Sequence, residues 1–528
     1  MPNTGKPSPN CHLCRQRRVK CDLERPRCQR CIKYGVRCPG YRDEQDLRFQ
    51  NANLDSFEKR KRKKQMQSPG ADPKELRVLA FTPESSASPA AEVSDLLSAP
   101  LLQVIRQHWS AESIPFVLSC YSSIGFLPTL FEGARDDHCL VKTCQVFSRA
   151  YVINRFRPDT GHRELSTCLG EALSSVSAAL SSPKSHTSDA TIVAVWLLGN
   201  YELLMGGIER KSFTSRPGDS SSSTSSWDVH SKGLLSLLRA RGDRQLFTRS
   251  GRQIFWTMFT IVQIQCVISN TPPPGDFDRW LRIIEQTLQA GEALPLNTGR
   301  YIASACSLLS RILPITLEGD REAACVCYDV LVQGCDNAEL TMLEWVRSAP
   351  EYQTGAGPVW QYFWNAWRTV RMKLHHMMIL LTNLVEHSAD SPFQPEALRE
   401  RRQLCRGIIA STAQEVVDSI PKSLGGSMPD VDSTTPSAYF DACRVIWPLS
   451  HLYVIPTAPR RLRIVARDAL FRIGREKGIL TALKPRPGRG RFPPETLAGL
   501  PTDDLEGREV DSTSIPSWTE VEPVRVRQ

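Results

Sequence analysis

Between residues 99 and 483, apolar residues recur three and four positions apart, and strict apolar–polar alternation is scarce. That period predicts helices throughout. In "DATIVAVWLLGNYELLMGG", Ile192, Val195, Trp196, Gly199 and Leu203 fall near one helical face. "WDVHSKGLLSLLRARG" sets Val229, Leu234, Leu237 and Leu238 on a broad stripe, with Gly242 as the stop. "GRQIFWTMF" reads as a buried helix, and "YFDACRVIWPLSHLYVI" and "LRIVARDALFRIGREKGIL" repeat the helical spacing. "TSRPGDSSSSTSS" reads as a loop inserted between two helices. The expectation is a large all-α domain over residues 99–483.

Outside that span the pattern changes. Residues 10–40 are crowded with cysteine, and residues 41–67 are a polar connector ending in "EKRKRKKQMQ". Residues 68–98 are rich in Pro, Ala and Ser and read as a disordered linker. Residues 484–528 begin "KPRPGRGRFPPE" and read as a flexible tail, Pro-rich and then acidic. The first ten residues lack the apolar core of a secretory signal. The longest apolar candidate, "FWTMFTIVQIQCVI", is interrupted by two glutamines and too short to span a bilayer. These features point to a reducing intracellular compartment and no membrane partner, where disulfides are a poor explanation for clustered thiols.

Charge sharpens the division. The chain carries a net +10, yet residues 1–66 alone hold 18 Lys/Arg against 7 Asp/Glu. All the basic excess therefore sits in the first eighth of the chain, which calls for a polyanionic partner there and nowhere else. Seventeen cysteines divide as unevenly, with six between Cys11 and Cys38. The scattered ones, such as Cys266, read as small buried hydrophobes.

The six are spaced Cys11-x2-Cys14-x6-Cys21-x6-Cys28-x2-Cys31-x6-Cys38, two equal halves of three. Tetrahedral zinc takes four ligands, so three thiolates per half leave each ion one short. Two zinc ions need eight ligand positions, and six sulfurs fill eight if two of them bridge. An iron–sulfur cluster and two separate mononuclear sites fit the count less well. His12 is then a surface residue. So small a module has little apolar core, and metal supplies its folding energy. The first gap, "RQRRVK", packs Arg15, Arg17, Arg18 and Lys20 into six residues. A short helix starting at Cys14 would fan them over one end of the module. Such side chains donate to guanine O6 and N7 in the major groove and to phosphates. The rival reading is a zinc-dependent protein-docking module on a helical scaffold.

"CHLCRQRRVKCDLERPRCQRCIKYGVRCPGY" resembles the fungal Zn(2)-Cys(6) binuclear cluster of transcription factors in its spacings, its basic first gap and its Pro26. The resemblance implies that Cys11 and Cys28 bridge. Cys14 and Cys21 would complete one zinc, and Cys31 and Cys38 the other. It further implies that Arg17 and Arg18 read a CGG triplet while Arg15 and Lys20 face phosphates. "SCYSSIGFLPTLF", "WLLGNYELL", "WDVHSKGLLSLLRARG" and "WPLSHLYV" resemble the helical fungal-specific transcription factor domain 2. The function implied is sequence-specific control of RNA polymerase II transcription, with double-stranded DNA and the transcription machinery as partners.

Lys59, Arg60, Lys61, Arg62, Lys63 and Lys64 form an unbroken basic run that suits an import receptor and a nuclear location. Leu47 and Leu54 are seven apart, but the next step is Lys61, so a coiled-coil seam stops there. Homodimerisation, if any, falls to the helical body. No nucleotide-binding glycine loop, nucleophile elbow or H-E-x-x-H motif occurs, and no enzyme is expected. His186 near Asp189 is a weak signal, and His230 and Trp227 read as packing residues. Between Pro501 and Glu522, acids alternate with Leu505, Val510, Ile515, Trp518 and Val521, a pattern that suits coactivator binding.

Overall fold

The computed structural model describes residues 11–38 except 12, 15–16, 18, 25–26 and 37, together with 113–134, 137–156, 162–206, 226–350, 358–421, 438–483 and 492–500. The chain divides into two units, Met1–Pro89 and Ala90–Gln528. The connector, the linker, the basic run Lys59–Lys64, the Leu47–Leu54 spacing, the Ser-rich insertion and the residues from Pro501 onward lie outside the described residues. So do His12, Arg15, Arg18 and Pro26.

Among the described residues the first unit carries the short helix α1 (Gln29–Lys33), and Leu13 and Cys14 are helical as well. The second is built of helices, and no strand occurs among the described residues. After a helical stretch at 113–120 come α2 (Leu127–Gly133), α3 (His138–Phe156), α4 (His162–Ser181) and α5 (Asp189–Met205). Next are α6 (Ser226–Arg241), α7 (Arg249–Ser269), α8 (Asp276–Gln286), α9 (Ala293–Glu318) and α10 (Arg321–Ser348). Last are α11 (Pro358–Glu386), α12 (Pro395–Asp418), α13 (Ala438–Val454) and α14 (Arg460–Glu476).

Local sequence accounts for many of the boundaries. Ser188 caps α5 by accepting from the Thr191 N–H at 3.2 Å, and Thr248 caps α7 through Gly251 in the same way. Gly242, at φ +66°, follows the last residue of α6, as its sequence predicts. A two-residue turn joins α9 to α10. Gly319 closes the first helix at φ +68°, and Asp320 caps the second by accepting from Ala323 at 2.9 Å. In α8, Phe277, Trp280, Leu281 and Ile284 are buried along one face, while Asp276 and Asp278 favour the positive end of the helix dipole. The Phe277 ring lies 4.6 Å from Phe259 of α7, a pair that locks the two helices.

Two of the expected faces change. In α5, Ala190 through Tyr201 are all buried, so the helix is central rather than one-faced; it packs against α3, α4, α6 and α7. In α6, Leu234, Leu237 and Leu238 are buried as expected, but Val229 is 59% exposed. Five residues advance a helix by about 140° beyond a full turn, which carries Val229 off the stripe. His230 is half-buried, and burial lowers its pKa. His186 bonds back to the Ser182 carbonyl at 3.2 Å, while Asp189 pairs with Arg241 at 2.6 Å, so the two do not form a site. Cys266 is buried, and burial pushes its thiol to about 11.

The tail also requires correction. Residues 492–500, expected to be flexible, pack on the helical body. The Asn383 amide donates to the carbonyls of Thr496 (3.0 Å) and Ala498 (2.9 Å). Arg321 pairs with Glu495 at 2.9 Å, and Thr496 and Leu500 are buried. Pro493 lies where a Cβ on Gly319 would meet it at 2.9 Å, so the α9–α10 turn and this segment fit only through glycine.

Two carboxylates hold the interior together. Glu292 accepts from both Nε (2.8 Å) and Nη2 (2.9 Å) of the fully buried Arg252 and from the Trp256 indole at 2.9 Å. Glu339 of α10 accepts from Tyr301 of α9 at 2.5 Å and from Arg371 of α11 at 2.8 Å, with the His375 ring 3.4 Å away. Arg371 continues to Thr412 of α12 at 3.1 Å, so one acid ties four helices. Burial pushes the Glu339 carboxyl up, but His375, Arg371 and Tyr301 outweigh it and hold the pKa at about 2. A free glutamate titrates near 4.3, so the unfolded chain takes up the extra proton first. This contribution is complete above about pH 4.3 and disappears as pH falls through about 2. Glu339→Gln should cost about 3–5 kcal/mol in urea unfolding at pH 7, since it leaves Arg371 buried without its counter-ion. The gap from wild type should shrink as the pH drops below about 4.3.

Candidate metal centre and nucleic-acid interface

The cysteine module folds around sulfur. All six cysteines are buried, and among the described residues only Leu13 and Val19 pack against them as apolar neighbours. Cys28 is the N-cap of α1, and its Sγ accepts from the Cys31 N–H at 3.4 Å. In the other half, the Cys11 Sγ accepts from the Cys14 N–H at 3.4 Å, the same contact repeated. The C-x2-C pairs are thus turns in which the first sulfur caps the chain that presents the second.

The sulfurs form two groups of four: Cys11, Cys14, Cys21 and Cys28, and Cys11, Cys28, Cys31 and Cys38. Cys11 and Cys28 belong to both. Their Sγ atoms lie 3.6 Å apart, with Cys11–Cys31 and Cys14–Cys28 at 3.7 Å and Cys28–Cys38 at 4.0 Å. A tetrahedron with zinc–sulfur bonds of about 2.3 Å has edges of about 3.8 Å. A disulfide would bring the sulfurs to about 2.05 Å. The separations are those of thiolates around shared metal ions, and the two groups provide positions for two zinc ions per chain. Without a cation the same enclosure favours neutral thiols. Burial pushes Cys14 up to about 12 and also raises Cys31; it raises Cys28 against an opposing bond from the Cys31 N–H. A dication reverses that preference and deprotonates a coordinating thiol.

The basic first gap meets the second half of the module. Leu13 and Cys14 are helical, and the Arg17 N–H donates to the Leu13 carbonyl at 3.0 Å. The Arg17 guanidinium lies over the Tyr34 ring, 3.3 Å from its centroid. Arg17 and Lys20 are exposed, as are Arg27, Arg30 and Lys33. Asp22, though exposed, bonds back to the backbone, accepting from the N–H groups of Glu24 (3.1 Å) and Arg30 (3.0 Å). One of the module's few acids is thereby spent on holding the two halves in register.

Of the sequence-expected residues, the six cysteines are brought together, and Arg17 and Lys20 are placed on the surface. Tyr34 was missed. Its signal was available in "IKYGVR", where an aromatic stands in the second gap, but nothing in the spacing matched it to Arg17.

The chain matches two family models: the fungal Zn(2)-Cys(6) binuclear cluster domain over residues 10–48, and the fungal specific transcription factor domain over residues 104–336. No curated protein and no solved structure matches it. A DNA-binding zinc cluster is therefore fused to a helical regulatory domain. The two matched modules give the chain the architecture of a fungal zinc-cluster transcription factor, a nuclear class whose two modules are regulatory and non-catalytic. None of the described helices is long and apolar enough to cross a membrane.

Shared sulfurs make the two metal positions unequal to single losses. Cys28→Ala removes a ligand common to both groups, and zinc measured by native mass spectrometry should fall from two ions per chain to fewer than one. Cys38→Ala touches only the second group and should leave about one ion bound.

Proposed function

We propose that residues 10–40 bind duplex DNA in the major groove and read a CGG-type triplet through the first-gap basic residues, with the helical body regulating the outcome. The observation that carries this reading is the exposed Arg17 stacked on Tyr34 beside a metal-held turn. Stacking restricts a long side chain that would otherwise lose about 2 kcal/mol of rotamer entropy on docking. In this reading Arg17 and Arg18 donate to guanine edges, and Arg15 and Lys20 hold phosphates and fix register. The six thiolates only partly offset the surrounding basic charge once two dications are bound, so the module remains basic.

The metal-ligand assignment belongs to the same proposal. Cys14 and Cys21 complete one zinc, Cys31 and Cys38 the other, and Cys11 and Cys28 bridge. Residues 59–64 serve nuclear import, any homodimer forms through the helical body, and the acidic tail contacts the transcription machinery.

Replacing Arg17 and Arg18 together should remove the preference for CGG over scrambled duplex in a fluorescence-anisotropy titration while leaving zinc content intact. Each lost base contact accounts for about 1–3 kcal/mol of discrimination. Lys20→Ala should weaken binding to every sequence alike and lower the slope of log K against log salt by about 1. Retained CGG preference in the double variant would shift the balance to a protein-docking zinc module. Deleting Lys59–Lys64 from a fluorescently tagged chain should leave it in the cytoplasm; unchanged nuclear accumulation would reject the import role.

A further inference from the structure

Between α5, α7, α11 and α13 lies a cavity of about 550 Å³. Ligand cavities commonly span about 300–1,000 Å³. Its wall is chiefly apolar and aromatic, with Trp196, Ile264, Phe363, Phe440 and Trp447 among the lining residues. The charges on that wall are unbalanced. Arg249, Arg252, Lys373 and Arg444 line it against a single carboxylate, Glu292. Arg252 and Glu292 already satisfy each other.

Arg444 differs from the buried Arg252 and Arg371. Arg252 spends its nitrogens on a carboxylate, a hydroxyl and backbone carbonyls, and Arg371 on Glu339 and Thr412. Arg444 is only 6% exposed, and its Nη2 pairs with Asp441. Its Nε and Nη1 meet no acceptor among the described residues. The Trp447 indole Nε1, three residues on and on the same face of α13, meets none either. Pro448 sits inside α13 and has no N–H to give, so the helical bond that would reach the Arg444 carbonyl is missing as well. A buried donor left without an acceptor is costly, and two neighbouring residues on the wall of one cavity carry such donors.

We propose that the cavity binds a small organic acid with an apolar body. The carboxylate accepts from the open N–H groups of Arg444 and Trp447, and the apolar part lies against Trp196, Ile264 and Phe363. Lys373, whose Nζ donates to the Val267 carbonyl at 2.5 Å and whose pKa burial lowers to about 7, lies on the same wall. A cation or a neutral apolar molecule would leave the Arg444 donors unfilled. The inference concerns the helical body alone and stands whether or not the CGG reading holds.

The test uses the full zinc-loaded chain and isothermal titration calorimetry with five probes: dodecanoate, 1-naphthaleneacetate, 1-dodecanol, dodecylammonium and 1-naphthaleneacetamide. One or both acids should bind, and dodecanoate should exceed its alcohol and its ammonium by about tenfold or more, the range of one or two charge-assisted hydrogen bonds. If only the ring acid binds, it should exceed 1-naphthaleneacetamide by the same about tenfold margin. Arg444→Gln should reduce the acid-over-neutral ratio to about threefold or less. Ile264→Trp fills the cavity from α7 and should weaken the acid by about tenfold or more. Equal binding of acid and neutral isostere to the wild-type chain would overturn the proposal without any variant. So would failure of both acids to bind, or undiminished binding to folded Ile264→Trp.

Discussion

Two sulfurs counted twice are the constraint on which the rest of this chain depends. Six thiolates cannot give two tetrahedral ions four ligands each unless two are common to both, and Cys11 and Cys28, 3.6 Å apart, are the pair that belongs to both groups of four. Among the described residues, Leu13 and Val19 are the only apolar side chains packed against the six cysteines. Metal coordination therefore does what apolar burial does elsewhere: it sets the path of the backbone. The capping contacts follow from it. Cys28 ends one loop, starts α1 and offers its sulfur to the metal, so helix geometry and coordination geometry are fixed by one residue. With the backbone held from inside, the exterior is left to basic side chains, and Arg17 reaches Tyr34 across the two halves.

The helical body solves the opposite problem. Its apolar core is extensive, and long helices could slide along one another without large loss of burial. Buried acids restrict that freedom. Glu339 joins α9, α10 and α11 and, through Arg371, α12; Glu292 fixes α7 against the α8–α9 junction. A hydrogen bond fails over a fraction of an ångström, whereas apolar contact decays gradually. Such networks add specificity of register even where their net stabilisation is modest.

How much of this could be read beforehand depended on the kind of interaction. The cysteine spacing was legible because ligand number is an integer and thiolate chemistry is narrow. The helical class was legible from period, and Gly242 from its place after the last apolar residue. Face assignments were weaker. The α5 pattern looked one-sided, but a helix packed on several sides by other helices buries its remaining residues too. Val229 was drawn into a stripe that five residues of helix carry it away from. The segment 492–500 was misread because its anchors are its own carbonyls, received by Asn383, and a carbonyl has no sequence signature. Its prolines suggested mobility, yet the same fixed φ angles reduce the entropy lost on docking. The Arg17–Tyr34 contact and the cavity both join residues distant along the chain, which periodicity does not register.

The two units also differ in how they treat buried charge. In the cysteine module, buried sulfurs become anionic only with a cation beside them, so charge there is complete once metal is present. In the body, Glu292 and Glu339 are surrounded by donors and need nothing further. Arg444 fits neither pattern. It lies on a helix interrupted at Pro448, beside Trp447, with a single carboxylate oxygen for a guanidinium that has five N–H donors to satisfy. Optimising the fold for stability alone would favour an apolar residue there, or a second acceptor as Arg252 has. In the proposed complex the ligand carboxylate accepts from the open Arg444 guanidinium nitrogens, and a hydrogen bond to a charged group contributes about 1.5–3 kcal/mol. A ligand that supplies those acceptors would bind the folded body and not the unfolded chain, and so would stabilise the body by mass action.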